Sequence, residues 1–278
     1  PFFATSSNAP IDKLQVDQDE LSAAIKFCES GRYKEAQEWL SMFIDSQPKH
    51  PEALCLLSQA FLLDKQEKLA ARALAEAEVI NPELASVYLN KAKLFLKQSK
   101  PKAALENAQF GYERASQNPE SCLVLAMCLG ANKRDQDALP LIEKALTLRP
   151  EYAEAFANRA LIRLRASDIN GAIVDAEFAI GLKPHLIQVW MLLGSLYRQT
   201  NNLAGAIEAM KQAQKIEPTS TDIAVDLAIF LTQDNKLATA ISVLKKATTL
   251  APENSSALVK LGMAFQKNKE DRKSHLRI

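Results

Sequence analysis

Residues 187–220 read IQVWMLLGSLYRQTNNLAGAIEAMKQAQKIEPTS. Within this stretch Trp190, Leu193, Gly194 and Tyr197 stand at spacings of 3, 1 and 3, which is the apolar stripe of one helix. Asn201-Asn202 then interrupts the period with the side chain that best tolerates left-handed backbone. Ala206, Met210 and Ala213 set a second stripe, and Pro218, which cannot continue a helix, closes it. The stretch is thus two short helices joined by a tight turn.

Outward from this unit, the same signals recur every 34 residues. Proline stands at 48, 82, 150, 184, 218 and 252, with the grid vacant only at Ser116 and Pro119 three residues beyond it. Alanine holds the period without a miss at 36, 70, 104, 138, 172, 206 and 240. A second small-residue position runs Ala24, Ser58, Ala92, Ala126, Ala160, Gly194, Ala228 and Gly262. Small side chains at two fixed places mean that two helices approach closely there, where a larger group would push them apart. One supersecondary unit is stacked along the chain, each copy burying its apolar faces against its neighbours.

The pattern resembles the tetratricopeptide repeat, W-x2-L-G-x2-Y…A-x3-F…P. The resemblance covers residues 17–254 as seven repeats: 17–50, 51–84, 85–118, 119–152, 153–186, 187–220 and 221–254. The first helix of an eighth follows from Ser255, with Leu258, Leu261, Gly262 and Phe265 at matching places. It implies an all-α protein, a right-handed superhelical α-solenoid of about seven and a half helix-turn-helix repeats over residues 17–266. Ahead of it, residues 1–16 show no helical period and are expected to form a flexible or docked leader. Residues 267–278 are expected to be a polar tail, either part of a terminal cap or followed by further chain. The first residue, Pro1, leaves room for a removed start or signal peptide.

Composition narrows the function. A net charge of +1 lacks the basic stripe of a nucleic-acid binder, and no run of eighteen apolar residues predicts a membrane span. Cys28, Cys55, Cys122 and Cys128 show neither disulfide nor metal spacing, which favours reduced packing residues and a cytoplasmic location. No phosphate loop, metalloprotease helix or nucleophile elbow occurs. His50, His185 and His275 fall in turns and tail and are expected to be solvated. Trp39 and Phe43 are expected to fill a gap in the core of the first repeat. The chain is expected to be no enzyme by itself and to need no cofactor or metal.

In tetratricopeptide arrays the first helix of each repeat lines the inner face. Counting from the first residue of each repeat, positions 2, 5, 6, 9, 12 and 13 then point into the groove. The candidate partner-binding residues are Asn90, Lys93, Lys97 and Met127, with Leu123 and Val124 beside them. They continue with Asn158, Leu161, Arg165, Met191, Ser195 and Arg198, with Leu192 and Gln199 adjacent. Amides for a peptide backbone, cations for its acidic groups and an apolar floor suit an extended peptide. The charges also have a plainer reading: acids at helix starts and bases at helix ends are what the helix dipole favours. Arg159 and Arg163 stand at inward positions of the fifth repeat, and Asp175 is the expected structural ion-pair partner of Arg159.

The expected function is a protein-interaction scaffold holding a peptide or partner helix in the groove. The alternative is the substrate-presenting arm of a larger enzyme such as a glycosyltransferase, and a third reading is an oligomer through a terminal repeat. The sixth position runs Ser22, Leu56, Asn90, Val124, Asn158, Leu192, Asp226 and Lys260. It therefore lacks both the successive Lys and Asn of a chaperone carboxylate clamp and the asparagine ladder of O-linked N-acetylglucosamine transferase arms, of which only Asn90 and Asn158 are present.

Overall fold

The computed structural model describes residues 21–275. The proposed leader, residues 1–16, lies outside them. The described residues form fifteen helices and no strand. Seven pairs follow the repeat: α1 (Ser22–Glu29) with α2 (Tyr33–Ser46), α3 (Pro51–Leu63) with α4 (Glu67–Ile80), and α5 (Ala85–Lys97) with α6 (Pro101–Arg114). They continue with α7 (Pro119–Ala131) and α8 (Asp135–Leu148), α9 (Ala153–Arg165) and α10 (Ile169–Leu182), α11 (Ile187–Gln199) and α12 (Leu203–Ile216), and α13 (Thr221–Gln233) and α14 (Leu237–Leu250). The last helix, α15 (Ser255–His275), packs on α14 and α13 and is followed by no further helix among the described residues. The helices divide into two compact units, one ending at Leu148 and one beginning at Arg149.

Each intra-repeat turn is made the same way. Gly31, Lys65, Ser99, Lys133, Ser167, Asn201 and Asn235, all 34 residues apart, have φ between 57° and 75°. The next N–H reaches back five residues, as Gln66 does to the Phe61 carbonyl at 2.8 Å and Asn202 to the Tyr197 carbonyl at 2.7 Å. This is a Schellman closure, which satisfies carbonyls that the ending helix would otherwise leave open. Only one of the seven left-handed positions is glycine, so the other six tolerate a strain that tertiary packing holds in place. In α15 the helix runs on through Lys269, where the grid would place the next turn, and so includes the polar run from Lys267 to Arg272.

The small positions pack as their size requires. All seven grid alanines, from Ala36 to Ala240, are fully buried. At the other small position a methyl on Gly194 would sit 2.5 Å from the Met210 Cε, so α11 and α12 approach closely there and a larger side chain would require the Met210 tip to move. Gly262 of α15 instead has open space where its side chain would be, since no second helix of a pair crosses it among the described residues. The first unit gathers a core around Leu40, Leu54, Leu57, Phe61, Leu74 and Val87. The second has two, around Val189, Leu193 and Leu196, and around Met210, Leu227, Phe230 and Leu244. Trp39 stacks on Phe43 at 5.3 Å beside the first core. His50 is half-buried and caps α3, its Nδ1 accepting from the Ala53 N–H, a role beyond the solvated turn expected of it.

Candidate functional site

The candidate residues of the first unit are engaged in holding repeats together. Asn90 of α5 is 5 % exposed, and its amide donates across to the Cys55 carbonyl of α3 at 3.1 Å. Lys97 extends from the end of α5 to the Leu62 carbonyl at the end of α3, at 2.5 Å, where the helix dipole favours a cation. Lys93 pairs in the other direction with Glu120 at the start of α7, at 2.5 Å. These three candidate groove residues are each linked to an adjacent repeat in the structure. The physical reason is close packing of the first helices, α3 on α5 and α5 on α7. The same packing buries Leu123 and Val124, and leaves Met127 half-buried.

The second unit presents a more open inner face. Asn158 satisfies its amide within its own helix, donating to the Glu154 carbonyl at 2.8 Å. Leu161 is 40 % exposed, Arg165 and Arg198 are exposed, and Met191, Leu192 and Ser195 are half-buried. The floor is continuous: Ala157 and Leu164 of α9 share a core with Leu192 of α11, and Met191 packs against the core that holds Val225 of α13. No hydrogen bond or ion pair ties the Arg198 side chain to another described residue. Its charge acts on Asp226 of α13, a half-buried carboxyl that burial, and then the nearby Asp222, raise above the ordinary range while Arg198 opposes them.

Arg159 and Asp175 form a two-pronged ion pair, Nε to Oδ2 at 2.9 Å and Nη2 to Oδ1 at 2.7 Å. Asp175 is 1 % exposed, and Arg163 joins it, Nη1 to Oδ2 at 3.0 Å. Sequence reasoning noticed Arg163 at an inward position but assigned it no partner. Its eight-residue distance from Gly171, whose carbonyl it also reaches, was the available clue. The cluster links α9 to α10, and its geometry is that of a structural clasp, with one buried carboxylate shared by two guanidinium groups.

Among the described residues, no group of three or more His, Cys, Asp and Glu could hold a metal ion. Burial pushes the Cys55 thiol up to about 11 and the Cys128 thiol up to about 12, so both stay protonated and unreactive at neutral pH. None of the four cysteines is in a disulfide, and no described helix is long and apolar enough to cross a membrane.

Residues 176–275 match the family described as the cytochrome c-type biogenesis protein H TPR domain, and residues 89–153 match the tetratricopeptide repeat. The chain is a tetratricopeptide repeat protein, and its fold an α-solenoid of such repeats. No curated protein sequence matches it. Among solved structures it is similar to a chain of the APC/C hetero-tetramer Cut9-Hcn1, with TM-score 0.75 and 17% identity over 91% of this chain and 50% of that one. It is also similar to PilF of Pseudomonas aeruginosa, with TM-score 0.60 and 20% identity over 78% and 97% of the two chains. A third is MamA from residue 41 onward of Desulfovibrio magneticus RS-1, with TM-score 0.52 and 22% identity over 62% and 97%. Identities this low speak for the fold alone, and the chain spans half the length of the Cut9-Hcn1 chain it resembles.

Proposed function

We propose that the chain is a non-catalytic scaffold that binds an extended segment of a partner protein on the inner helices of its second unit. The observation that carries this reading is the unpaired, exposed Arg198 beside the apolar floor of Leu161, Met191 and Leu192. An acidic group of the partner can pair with that guanidinium, Ser195 can bond its backbone, and the floor receives its apolar side chains. Asn158 and Arg165 flank this surface on α9. A preformed helical surface limits the ordering cost of binding. The similar Cut9-Hcn1 chain belongs to a hetero-tetramer, which supports an assembling role. A cytoplasmic location rests on the sequence reading of the cysteines.

The test is capture of partners from source-cell lysate by the native chain and by an Asn158→Ala/Arg198→Glu variant, with circular dichroism to verify folding. A protein held by the native chain and lost by the folded variant supports the inner surface of the second unit. Equal capture by both rejects it.

A further inference from the structure

Between α2, α3 and α4 of the first unit lies a cavity of about 220 Å³, away from the surface proposed above. Ala73 of α4 lines it with a small side chain. At the same place in their repeats, the twenty-third, stand Trp39, Asn107, Leu141, Asp175, Ala209 and Val243. The single methyl of Ala73 lies beside an apolar floor made by the buried side chains of Leu54, Leu57 and Phe61 of α3, with Ile44 of α2 as a side wall. A void of this kind lined by aliphatic and aromatic groups gains nothing from water and is suited to an apolar guest.

The rim has a different chemistry. Asp45 on α2 and Glu76 on α4 stand at the mouth, both exposed. Neither carboxylate forms a hydrogen bond or ion pair with another described residue, while other acids nearby are used, such as Glu78 by Lys91. Two unneutralised carboxylates over an apolar hole make a local negative potential that a cation beside the guest would relieve and an anion would worsen. Ser41, also at the cavity, spends its hydroxyl on the Gln37 carbonyl at 2.7 Å and offers no competing donor.

We infer that this cavity is a docking site for a partner segment that inserts one bulky apolar side chain, phenylalanine or leucine, with Lys or Arg adjacent to it. The volume holds one such side chain, and the paired carboxylates select its neighbours.

The experiment is a titration of the full chain, with methyl groups labelled for NMR, by the capped pentapeptide Gly-Lys-Phe-Lys-Gly. Capped Gly-Glu-Phe-Glu-Gly and Gly-Lys-Ser-Lys-Gly serve as comparisons. The methyl signals of Ile44, Leu54 and Leu57 are expected to shift saturably with the first peptide. The glutamate peptide should bind roughly three- to ten-fold more weakly at low salt, the range for two exposed charge contacts. The serine peptide should leave these signals in place. Ala73→Leu fills the hole and should abolish the shifts. Asp45→Asn/Glu76→Gln, which touches only the exposed rim, should bind both phenylalanine peptides alike. Static methyl signals with every peptide overturn the proposal, as does a charge preference that survives the rim variant. Deletion of residues 1–16 completes the test: unchanged affinity supports an external partner, and a marked gain would make this chain's own segment the occupant and overturn it.

Discussion

The two units are made from the same repeat, yet the inner polar side chains of repeats 85–118 and 153–220 are used differently, although Tyr197 to Glu177 and Lys267 to the Thr232 carbonyl link repeats in the second unit as well. In the first, Asn90, Lys93 and Lys97 all run from one repeat to the next, and the inner positions around them are buried. In the second, the corresponding face exposes Leu161 and Arg198, and the strongest polar interaction lies within one repeat, where Arg159 and Arg163 clasp Asp175. A polar residue held by a neighbouring repeat has less of its hydrogen-bonding capacity and less freedom to reorient toward a partner than one left exposed.

The largest test of this contrast is Asp175→Ala. Removing a carboxylate that is 1 % exposed leaves two arginines facing each other without their shared partner, and about 3 kcal/mol of stability should be lost. Urea denaturation followed by hydrogen exchange should place the loss in residues after Arg149; an unmoved midpoint would remove the clasp from the comparison. Next is a matched pair of asparagines. Asn90→Ala should cost about 1 kcal/mol, since a buried inter-repeat hydrogen bond is lost, whereas Asn158→Ala should fall within about 0.5 kcal/mol of the parent. Equal losses in the same denaturation series would erase the distinction between linking and available amides.

A smaller effect sharpens what the units share. Ser99 and Ser167 both hold a left-handed φ, at 57° and 63°. Ser99→Gly and Ser167→Gly should each stabilise by about 0.5 kcal/mol, strain relief being partly offset by the freedom glycine gains in the unfolded chain. Thermal melts that differ in sign between the two would show that the turns are not equivalent.

The smallest effect concerns acid. Asp226 titrates above its ordinary range in the folded chain, so protons bind the folded state more tightly than the unfolded one. The charged carboxylate therefore lowers stability above its folded pKa, and that cost is relieved as pH falls through it. Asp226→Asn should raise the melting point at neutral pH, with the gain vanishing in acid; a gain that persists there would assign it to packing instead.

Much of the architecture was legible because it repeats. The turn signalled by Asn201-Asn202 recurs in the structure as seven left-handed residues at one spacing, although five of the others are lysine, serine or asparagine and a lone glycine marks only the first. The small residues at Ala36 and its equivalents could be read as helix crossings since volume alone dictates them. The candidate surface was less legible. Position within the repeat identified the inner face, but Asn90 and Asn158 occupy the same place and meet different partners, the one a carbonyl on another helix, the other a carbonyl in its own. The cavity beside Ala73 was not legible, since Ala209 stands at the same place in its repeat.

By itself, then, the sequence determined the helix pairs, their turns and the points where they cross, because local backbone preference and side-chain volume act over a few residues and recur every 34. Tertiary structure alone decided which of the polar groups remain open, that Arg163 shares Asp175 with Arg159, and that α15 continues past the place of the next turn. Those outcomes depend on distances between side chains of different helices, and a hydrogen bond or ion pair made or missed there turns on an ångström that no spacing along the chain records.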